Sequence, residues 1–432
     1  MADIRAFRGF RYDPARVGAL ADVVCPPYDV IDAALQQRLY QTSPYNAVRL
    51  ELTREEPGAS ISKYEQAANT LRRWLLEGVL RQDSARNLYV YEQEFTLEGV
   101  VRQRRGFFAR VRLVPWGSGG IFPHEQTLSA PKQDRLNLYR ATGFNISPIF
   151  GLYPDPQQEV MAVLEPALRA APPQQAEDHL GVIHRLWTVS DPAAITRVVG
   201  LMGPRPLYIA DGHHRYETGL KYLEELQAAG EVTDPEHPAC FTLMMLVGMS
   251  DPGLVILPTH RLLDAPRAIT AANLEQRLQP HFEIVQRGDS LAAAWEYLQL
   301  DGSQQLLAFG TAADGQWRVV RLRDGAIMQQ VAPQRCAAWR GLAVSMLHCL
   351  VLDRLLTPDF FGDIPHCRYV HLLQQVSHEL AHGSCRLAVL VPPATIDHLV
   401  AVAACGETMP PKSTYFYPKL LTGLVFHSLC QE

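Results

Sequence analysis

The sequence lacks several signals that would decide its class at once. No two of its eight cysteines stand in C-x-x-C spacing, which excludes a zinc ribbon and a thioredoxin-type motif. No apolar run is long enough to span a membrane. The best, Gly341 to Leu352, is about 12 residues, holds His348 and reads as a buried helix. Neither sign of charge dominates: 40 basic against 45 acidic residues exclude a nucleic-acid coat or a polybasic membrane tail. There is no internal repeat and no low-complexity tract. Met1-Ala2-Asp3-Ile4-Arg5-Ala6-Phe7-Arg8 has no apolar stretch of the secretory kind, so the cysteines are expected to be reduced and the protein cytoplasmic. What is present is ordinary globular composition, 47% hydrophobic and 20% charged over 432 residues, enough for two or three domains.

Periodicity predicts a mixture of elements. Ile61, Tyr64, Ala68, Leu71 and Leu75 make a helical stripe over Ser60 to Leu76. Leu88 to Phe95 and Phe107 to Val114 read as strands of a long hairpin turning at Glu98-Gly99. His184 to Val189 is a strand, and Ser190-Asp191-Pro192 then starts a helix. Leu207 to Ala210 is a short strand leading into a helix that buries Leu220, Leu223 and Leu226. Phe241 to Val247 and Leu254 to Leu257 are expected to form a hairpin around Asp251-Pro252-Gly253. After Asp264-Ala265-Pro266 the pattern restarts. It gives helices near Ile269 to Leu278 and Leu291 to Leu298, a strand at Phe282 to Val285, and a hairpin at Asp314-Gly315. A helix around Leu342 to Leu355 and a strand at Arg386 to Val391 follow. Strands, helices and hairpins so mixed argue for an α+β fold with a mixed sheet. The expected division is 1–265, carrying a phosphate-binding core, and 266–432, an α/β domain whose last segment returns to the site.

The strongest chemical constellation is Asp211-Gly212-His213-His214-Arg215-Tyr216-Glu217. A strand ends, a glycine permits a tight turn and a helix begins, where free N–H groups and the helix dipole favour an anion. Two imidazoles and a guanidinium add donors suited to phosphate oxygens. Asp211 could bind a metal or take a proton from a hydroxyl. Capping alone would need fewer polar residues. His124-Glu125-Gln126-Thr127, with Lys132, Asp134 and Arg135, reads as a loop entering a helix, or as a solvated helix start with local pairs. Pro410-Pro411-Lys412-Ser413-Thr414 to Lys419 offers a lysine and two hydroxyls but lacks the glycines of a P-loop. Cys25, before Pro26-Pro27-Tyr28-Asp29, reads as structural rather than nucleophilic. His378-Glu379-Leu380-Ala381-His382 matches H-E-x-x-H, the zinc-peptidase pattern. The metzincin extension fails at Cys385 and Ala388, and only Glu407 suggests itself as a distant third ligand.

Taken in order, these motifs and Leu257-Pro258-Thr259-His260-Arg261 resemble the bacterial and archaeal family catalogued as domain of unknown function 1015, nearly end to end. H-E-x-x-H is not a hallmark of that family. The D-G-H-H-R-Y stretch is also similar to the phosphate-binding box of the ParB/sulfiredoxin fold. Sulfiredoxin has a cysteine acceptor where this chain has His213, so sulfiredoxin chemistry is disfavoured. In ParB proteins a related box holds CTP phosphates, but no DNA-binding partner module is visible here. Free serine kinases share the fold. The resemblance therefore implies a small-molecule phosphotransferase, most directly a free L-serine kinase using pyrophosphate or a nucleotide, with Mg²⁺.

On this reading Gly212, His213 and Arg215 hold donor phosphates, helped by His214. Lys132, Arg135, Lys412, Ser413 and Thr414 neutralise further phosphate charge. Asp211, His214 and Glu125 are the catalytic candidates, Asp211 and Glu125 the Mg²⁺ ligands, and His124 and Tyr216 the substrate contacts. Arg215→Ala is expected to abolish activity and leave the fold intact. The expected partners are a phosphate donor and an amino-acid acceptor, not nucleic acid or membrane, and a homodimer is admitted. Two alternatives stay open: a non-catalytic protein that senses a nucleotide or phosphate, and a zinc metallopeptidase using His378, Glu379 and His382.

Overall fold

A computed structural model describes residues 2–55, 58, 60–125, 129–363 and 366–430. The chain divides into two compact units: Met1–Pro123, Thr127–Val255 and Pro418–Glu432 form the first, and His124–Gln126 with Ile256–Tyr417 the second.

The first unit is built on a nine-stranded mixed sheet. Its strands are β1 (Ile4–Arg5), β2 (Leu88–Leu97), β3 (Val100–Arg112), β4 (Ile121–Phe122), β5 (Ile149–Tyr153), β6 (Gln174–Glu177), β7 (Ile183–Val189), β8 (Leu207–Asp211) and β9 (Phe241–Gly248). They lie in the order β4-β8-β5-β9-β3-β2-β7-β6, with β1 on β3. The β2–β3 hairpin turns at Glu98 and Gly99, both with positive φ (52° and 78°), the conformation that matches strand twist in a two-residue turn. Every residue of β9 is buried. The hairpin expected between Phe241–Val247 and Leu254–Leu257 does not form, because β3 and β5 take both edges of β9. The Asp251-Pro252-Gly253 turn is instead fixed by the Asp251 carboxylate, which accepts from the Arg105 and Gly253 N–H groups.

Helices of this unit include α1 (Val48–Glu51), α2 (Lys63–Leu76), α3 (Ser129–Thr142), α4 (Glu159–Ala170), α5 (Pro192–Met202) and α6 (His213–Ala228). Their starts follow the sequence. Ser62 and Glu65 close a capping box on α2, and Asp191 caps α5 ahead of Pro192. Helix α6 buries Tyr216, Gly219 and Leu223, at helical spacing. With Phe107, Ile149, Leu207, Ile209, Phe241 and Met244, Tyr216 and Leu223 belong to one core of apolar residues. Its burial holds the end of β8 and the start of α6 in place.

The second unit carries a six-stranded antiparallel sheet: β10 (His260–Leu263), β11 (Phe282–Gly288), β12 (Leu306–Thr311), β13 (Trp317–Leu322), β14 (Cys367–Val370) and β15 (Leu387–Leu390), ordered β11-β13-β12-β15-β10-β14. Its helices include α7 (Ala271–Leu278), α8 (Leu291–Asp301), α9 (Leu373–Ala381) and α10 (Ile396–Ala404). The helix expected around Leu342 to Leu355 is α-helical only over Ala343–Met346 and continues as a π-helix over Leu347–Phe361. An apolar run reports burial but not hydrogen-bond register. The fold is α+β with a mixed sheet and hairpins. Among the described residues no helix is long and apolar enough to cross a membrane.

Candidate functional site

The end of β8 and the first turn of α6 concentrate charge. Gly212 joins them with φ +93°, and a Cβ there would lie 3.0 Å from the Arg215 guanidinium. Both the turn and the close approach of Arg215 therefore require glycine. Arg215 folds back on Asp211: Nη2 donates to Oδ2 at 2.7 Å, and Nη1 donates to the Pro148 carbonyl. The other carboxylate oxygen, Oδ1, accepts from Lys419 Nζ at 2.9 Å. One carboxylate thus holds two cations at a helix N-terminus, the end whose dipole favours anions.

Lys419 reaches Asp211 because its backbone is pinned. Gln93 Nε2 donates to the Lys419 carbonyl at 2.9 Å, and the fully buried Arg104 donates to the Pro418 carbonyl and to Gln93. Arg104 lies 4.8 Å over the Phe150 ring, and burial lowers its pKa to about 10. Burial alone would raise the pKa of Asp211. Lys419 and Arg215, joined by His213, outweigh it and hold the carboxyl well below the usual range. A carboxylate so stabilised is a poor proton acceptor but a firm anchor for two cations.

A second group of the same unit extends this field. Arg135, 4% exposed, donates to the Asp134 carboxylate at 2.6 and 3.0 Å and to the Glu51 carbonyl at 3.0 Å. It lies 4.3 Å over the Tyr28 ring. Against the upward push of burial, Arg135, Lys63 and Tyr64 hold Asp134 down at about 2. Glu51 is buried; its Oε1 accepts from the Tyr28 N–H at 3.2 Å. Arg215 feels Asp211 first, then Asp29, Tyr28 and Glu51, once burial is allowed for.

In the second unit Glu125 and Lys412 to Thr414 come together. Glu125 accepts from the N–H groups of Lys412 (3.2 Å), Ser413 (3.0 Å) and Thr414 (2.9 Å), and from the Thr414 hydroxyl (2.9 Å). Lys412 has φ +58°, so successive N–H groups converge as in an anion-binding nest, here around a carboxylate. His124 Nε2 lies 2.7 Å from Thr414 Oγ1. Arg261, 1% exposed, donates to the Lys412 carbonyl at 3.0 Å and steadies the turn. Gln126 and Thr127 lie outside the described residues.

Several expected site residues are placed otherwise. Tyr216 is buried in the core: its hydroxyl donates to the Val114 carbonyl at 2.8 Å and accepts the Val114 N–H at 3.1 Å, and its ring stacks on Trp116. It supports the helix rather than meeting a substrate. Lys132 pairs with Glu217 at 2.9 Å, and His214 is half-buried in the first turn of α6. Arg215 is 4% exposed and committed to two partners. Arg215→Ala would leave Asp211 balanced by Lys419 but take a donor from Asp211 Oδ2 and from the Pro148 carbonyl, so a cost in stability is expected beside any loss of activity. The residues expected to bind Mg²⁺ do not fit that role as they stand, since both oxygens of Asp211 sit on cations and those of Glu125 on N–H groups. His378 and His382 sit at the exposed end of α9, and Glu379 is paired with Arg368 at 2.6 Å. Among the described residues no three His, Cys, Asp or Glu side chains converge as a metal site. Cys25 is buried, and burial, then Glu51, push its thiol up, as suits a structural cysteine.

Gln93, Arg104 and Glu51 escaped the reading of residue types, and Lys419 and Tyr28 lay in singled-out motifs with no role assigned to them. One signal was available. Arg104 falls on the same strand face as Phe108, and an arginine on an apolar face demands buried partners.

A family profile described as "Protein of unknown function (DUF1015)" matches residues 4–345, and the chain belongs to that family. No curated protein matches. Among solved structures, one titled "Free serine kinase in complex with AMP" has 12% identity and TM-score 0.33, covering 69% of this chain and 83% of its own. A conserved hypothetical protein from Pyrococcus furiosus has 12% identity and TM-score 0.33, covering 70% and 89%. SbnI with a C-terminal truncation, from Staphylococcus aureus, has 12% identity and TM-score 0.34, covering 73% and 85%.

Proposed function

We propose that this member of the family is a small-molecule phosphotransferase, a kinase that forms O-phosphoserine from free L-serine and pyrophosphate or a nucleotide. One observation carries the reading: Asp211 gathers two fixed cations, Lys419 and Arg215, at the N-terminus of α6, where the helix dipole favours an anion. Phosphoryl transfer needs little covalent help from a protein; it needs fixed positive charge around the transferred group and an acceptor for the hydroxyl proton. The similarity of the D-G-H-H-R-Y stretch to the box of free serine kinases supports L-serine as acceptor.

The geometry supports the following division of labour. Lys419 and the N–H groups of the first turn take the phosphoryl oxygens. Asp211 and Arg215 hold that arrangement from beneath. Asp211 is too acidic to act as base, so His214 takes the proton. The serine hydroxyl oxygen attacks phosphorus, the bond from phosphorus to the leaving phosphate breaks, and the hydroxyl proton passes to His214. Mg²⁺ would enter with the donor phosphates, since both oxygens of Asp211 already face cations and those of Glu125 already accept N–H groups. The partners are then a phosphate donor and an amino acid, with no nucleic acid or membrane.

A second reading is favoured by one feature: every polar group of Asp211 and Arg215 named here is engaged before any ligand arrives. A static phosphate sensor would be built in the same way. Calorimetric titration of pyrophosphate, ADP and ATP into wild type, Lys419→Met and His214→Asn separates the two. A kinase loses donor affinity in Lys419→Met, and keeps donor affinity but loses turnover in His214→Asn. Unaltered donor binding in Lys419→Met would remove the basis of the proposal.

A further inference from the structure

A cavity of about 720 Å³ lies within the first unit, between the start of β3, the ends of β5 and β9, and α4. That volume suits an organic molecule and is well above what a bare ion needs. The cavity is separate from the Asp211 site. Phe150 of β5 is the register partner of Asp211. Tyr153, which lines the cavity, ends the same strand, about 10 Å further along.

The acids on its walls are already matched. Asp155 accepts from the Glu159 and Val160 N–H groups at 3.1 and 3.0 Å and from Arg205 at 3.0 Å. Asp251 accepts from the N–H groups of Gly253 and Arg105, and Glu165 pairs with Arg105 at 3.3 Å. Two donors are left over. Tyr153 is 0% exposed, and its hydroxyl has no hydrogen-bond partner. Arg102 also lines the cavity, and its Nε is buried without a partner. Burial, then Asp155, raises the Tyr153 pKa, so the phenol keeps its proton and stays a donor. A buried donor without an acceptor costs stability, and a ligand that accepts from it recovers that cost.

We propose that this cavity binds a small organic monocarboxylate, with its carboxylate on Arg102 and an uncharged acceptor oxygen on Tyr153. Leftover donors call for acceptors, and a guanidinium with an unmet N–H suits a carboxylate. Three protein carboxylates on the same walls disfavour a phosphate dianion. Val101, Met161 and Pro252 add apolar surface for the body of the ligand. The proposal stands apart from the phosphotransfer reading and needs no turnover.

Hippurate serves as the probe, since it joins a carboxylate, an amide oxygen and an apolar ring. Calorimetric titration of the full chain compares it with its uncharged amide, hippuramide, and with phenyl phosphate. Hippurate is expected to bind with a Kd of about 1 mM or tighter. Hippuramide should bind at least about tenfold more weakly, and Arg102→Gln should weaken hippurate by a similar factor. Tyr153→Phe should weaken it about threefold or more. That variant should melt no lower than wild type, because the hydroxyl it loses has no partner, so its weaker binding is not a folding defect. Lys419→Met should bind hippurate as wild type does, whatever it does to phosphotransfer. No binding of hippurate, equal binding of hippuramide, tighter binding of phenyl phosphate, or unaltered binding in either Arg102→Gln or Tyr153→Phe would overturn the proposal. So would loss of hippurate binding in Lys419→Met, which would put the anion at the Asp211 site instead.

Discussion

Replacing Asp211 by asparagine tests the charge arrangement at its centre. The carboxylate is the shared partner of Lys419 (2.9 Å) and Arg215 (2.7 Å), whose side chains are 12% and 5% exposed. Asparagine keeps the shape but removes the charge and turns an NH₂ donor toward one of two donors. Two largely buried cations then lose their shared counter-ion. Removing one partner of a buried ion pair costs about 3–5 kcal/mol, and the partial exposure of Asp211 places this case near about 3 kcal/mol. For a unit of this size that is a fall of about 6–12 °C in its melting temperature. Lys419→Met leaves the Asp211–Arg215 pair balanced and should cost less, about 1–2 kcal/mol. The double variant should be less damaged than the sum of the singles, by about 1–3 kcal/mol. Acid adds an independent check. The folded pKa of Asp211 is depressed, so its stabilisation is complete above the unfolded value near about 4 and drains away below it, by up to about 1.4 kcal/mol per pH unit. Asp211→Asn should lose that part of the acid slope. Calorimetry and urea unfolding of the three variants read all of this. A loss under about 1 kcal/mol in Asp211→Asn, or strict additivity with Lys419→Met, would refute the reasoning.

Other outcomes follow from the same contacts. Gly212→Ala puts a Cβ 3.0 Å from the Arg215 guanidinium at φ +93°. It should destabilise the protein by more than about 1 kcal/mol in urea unfolding, and a neutral substitution would mean that the turn is not held by Arg215. Glu125→Gln should speed amide hydrogen exchange at Lys412, Ser413 and Thr414 about tenfold or more, since a neutral amide accepts from three N–H groups less well; unchanged protection would deny the nest its occupant. His260 accepts the Val391 N–H on Nδ1 at 3.3 Å, and burial, then Arg261, hold its imidazole down at about 3. Its stabilisation is therefore complete above about pH 6.5 and is lost as pH falls toward its folded pKa. By NMR the His260 ring should stay neutral down to pH of about 4.5, and a midpoint above about pH 5 would contradict its burial.

Local patterns carried much of the fold. Glu98-Gly99 named its hairpin because positive φ at two successive residues is costly for most others. Ser190-Asp191-Pro192 named its helix start because cap and N1 proline leave few other conformations. Pairing between distant strands was less legible. Phe241 to Val247 carries no mark of the partners it takes on either edge, so the nearest strand in sequence was matched to it instead. The same holds for the site. Asp211 to Arg215 stood out because polar residues and a glycine at a strand–helix junction exceed what capping needs. Lys419 did not, because its role depends on Gln93 and Arg104 gripping the backbone of a segment more than 300 residues away in sequence. Tyr216 misled for a simpler reason: one residue after Arg215 the helix turns toward the core, and a tyrosine there finds its hydroxyl partners in Val114.

The most direct test of the central claim is phosphorus NMR of the folded protein with Mg²⁺ and L-serine, incubated separately with pyrophosphate, ADP and ATP. A phosphotransferase organised around Asp211, Lys419 and Arg215 gives an O-phosphoserine resonance with one of these donors in wild type, and none in Lys419→Met. If folded wild-type protein yields no phosphorylated product from any donor, or Lys419→Met yields as much as wild type, the site does not transfer phosphate in this way.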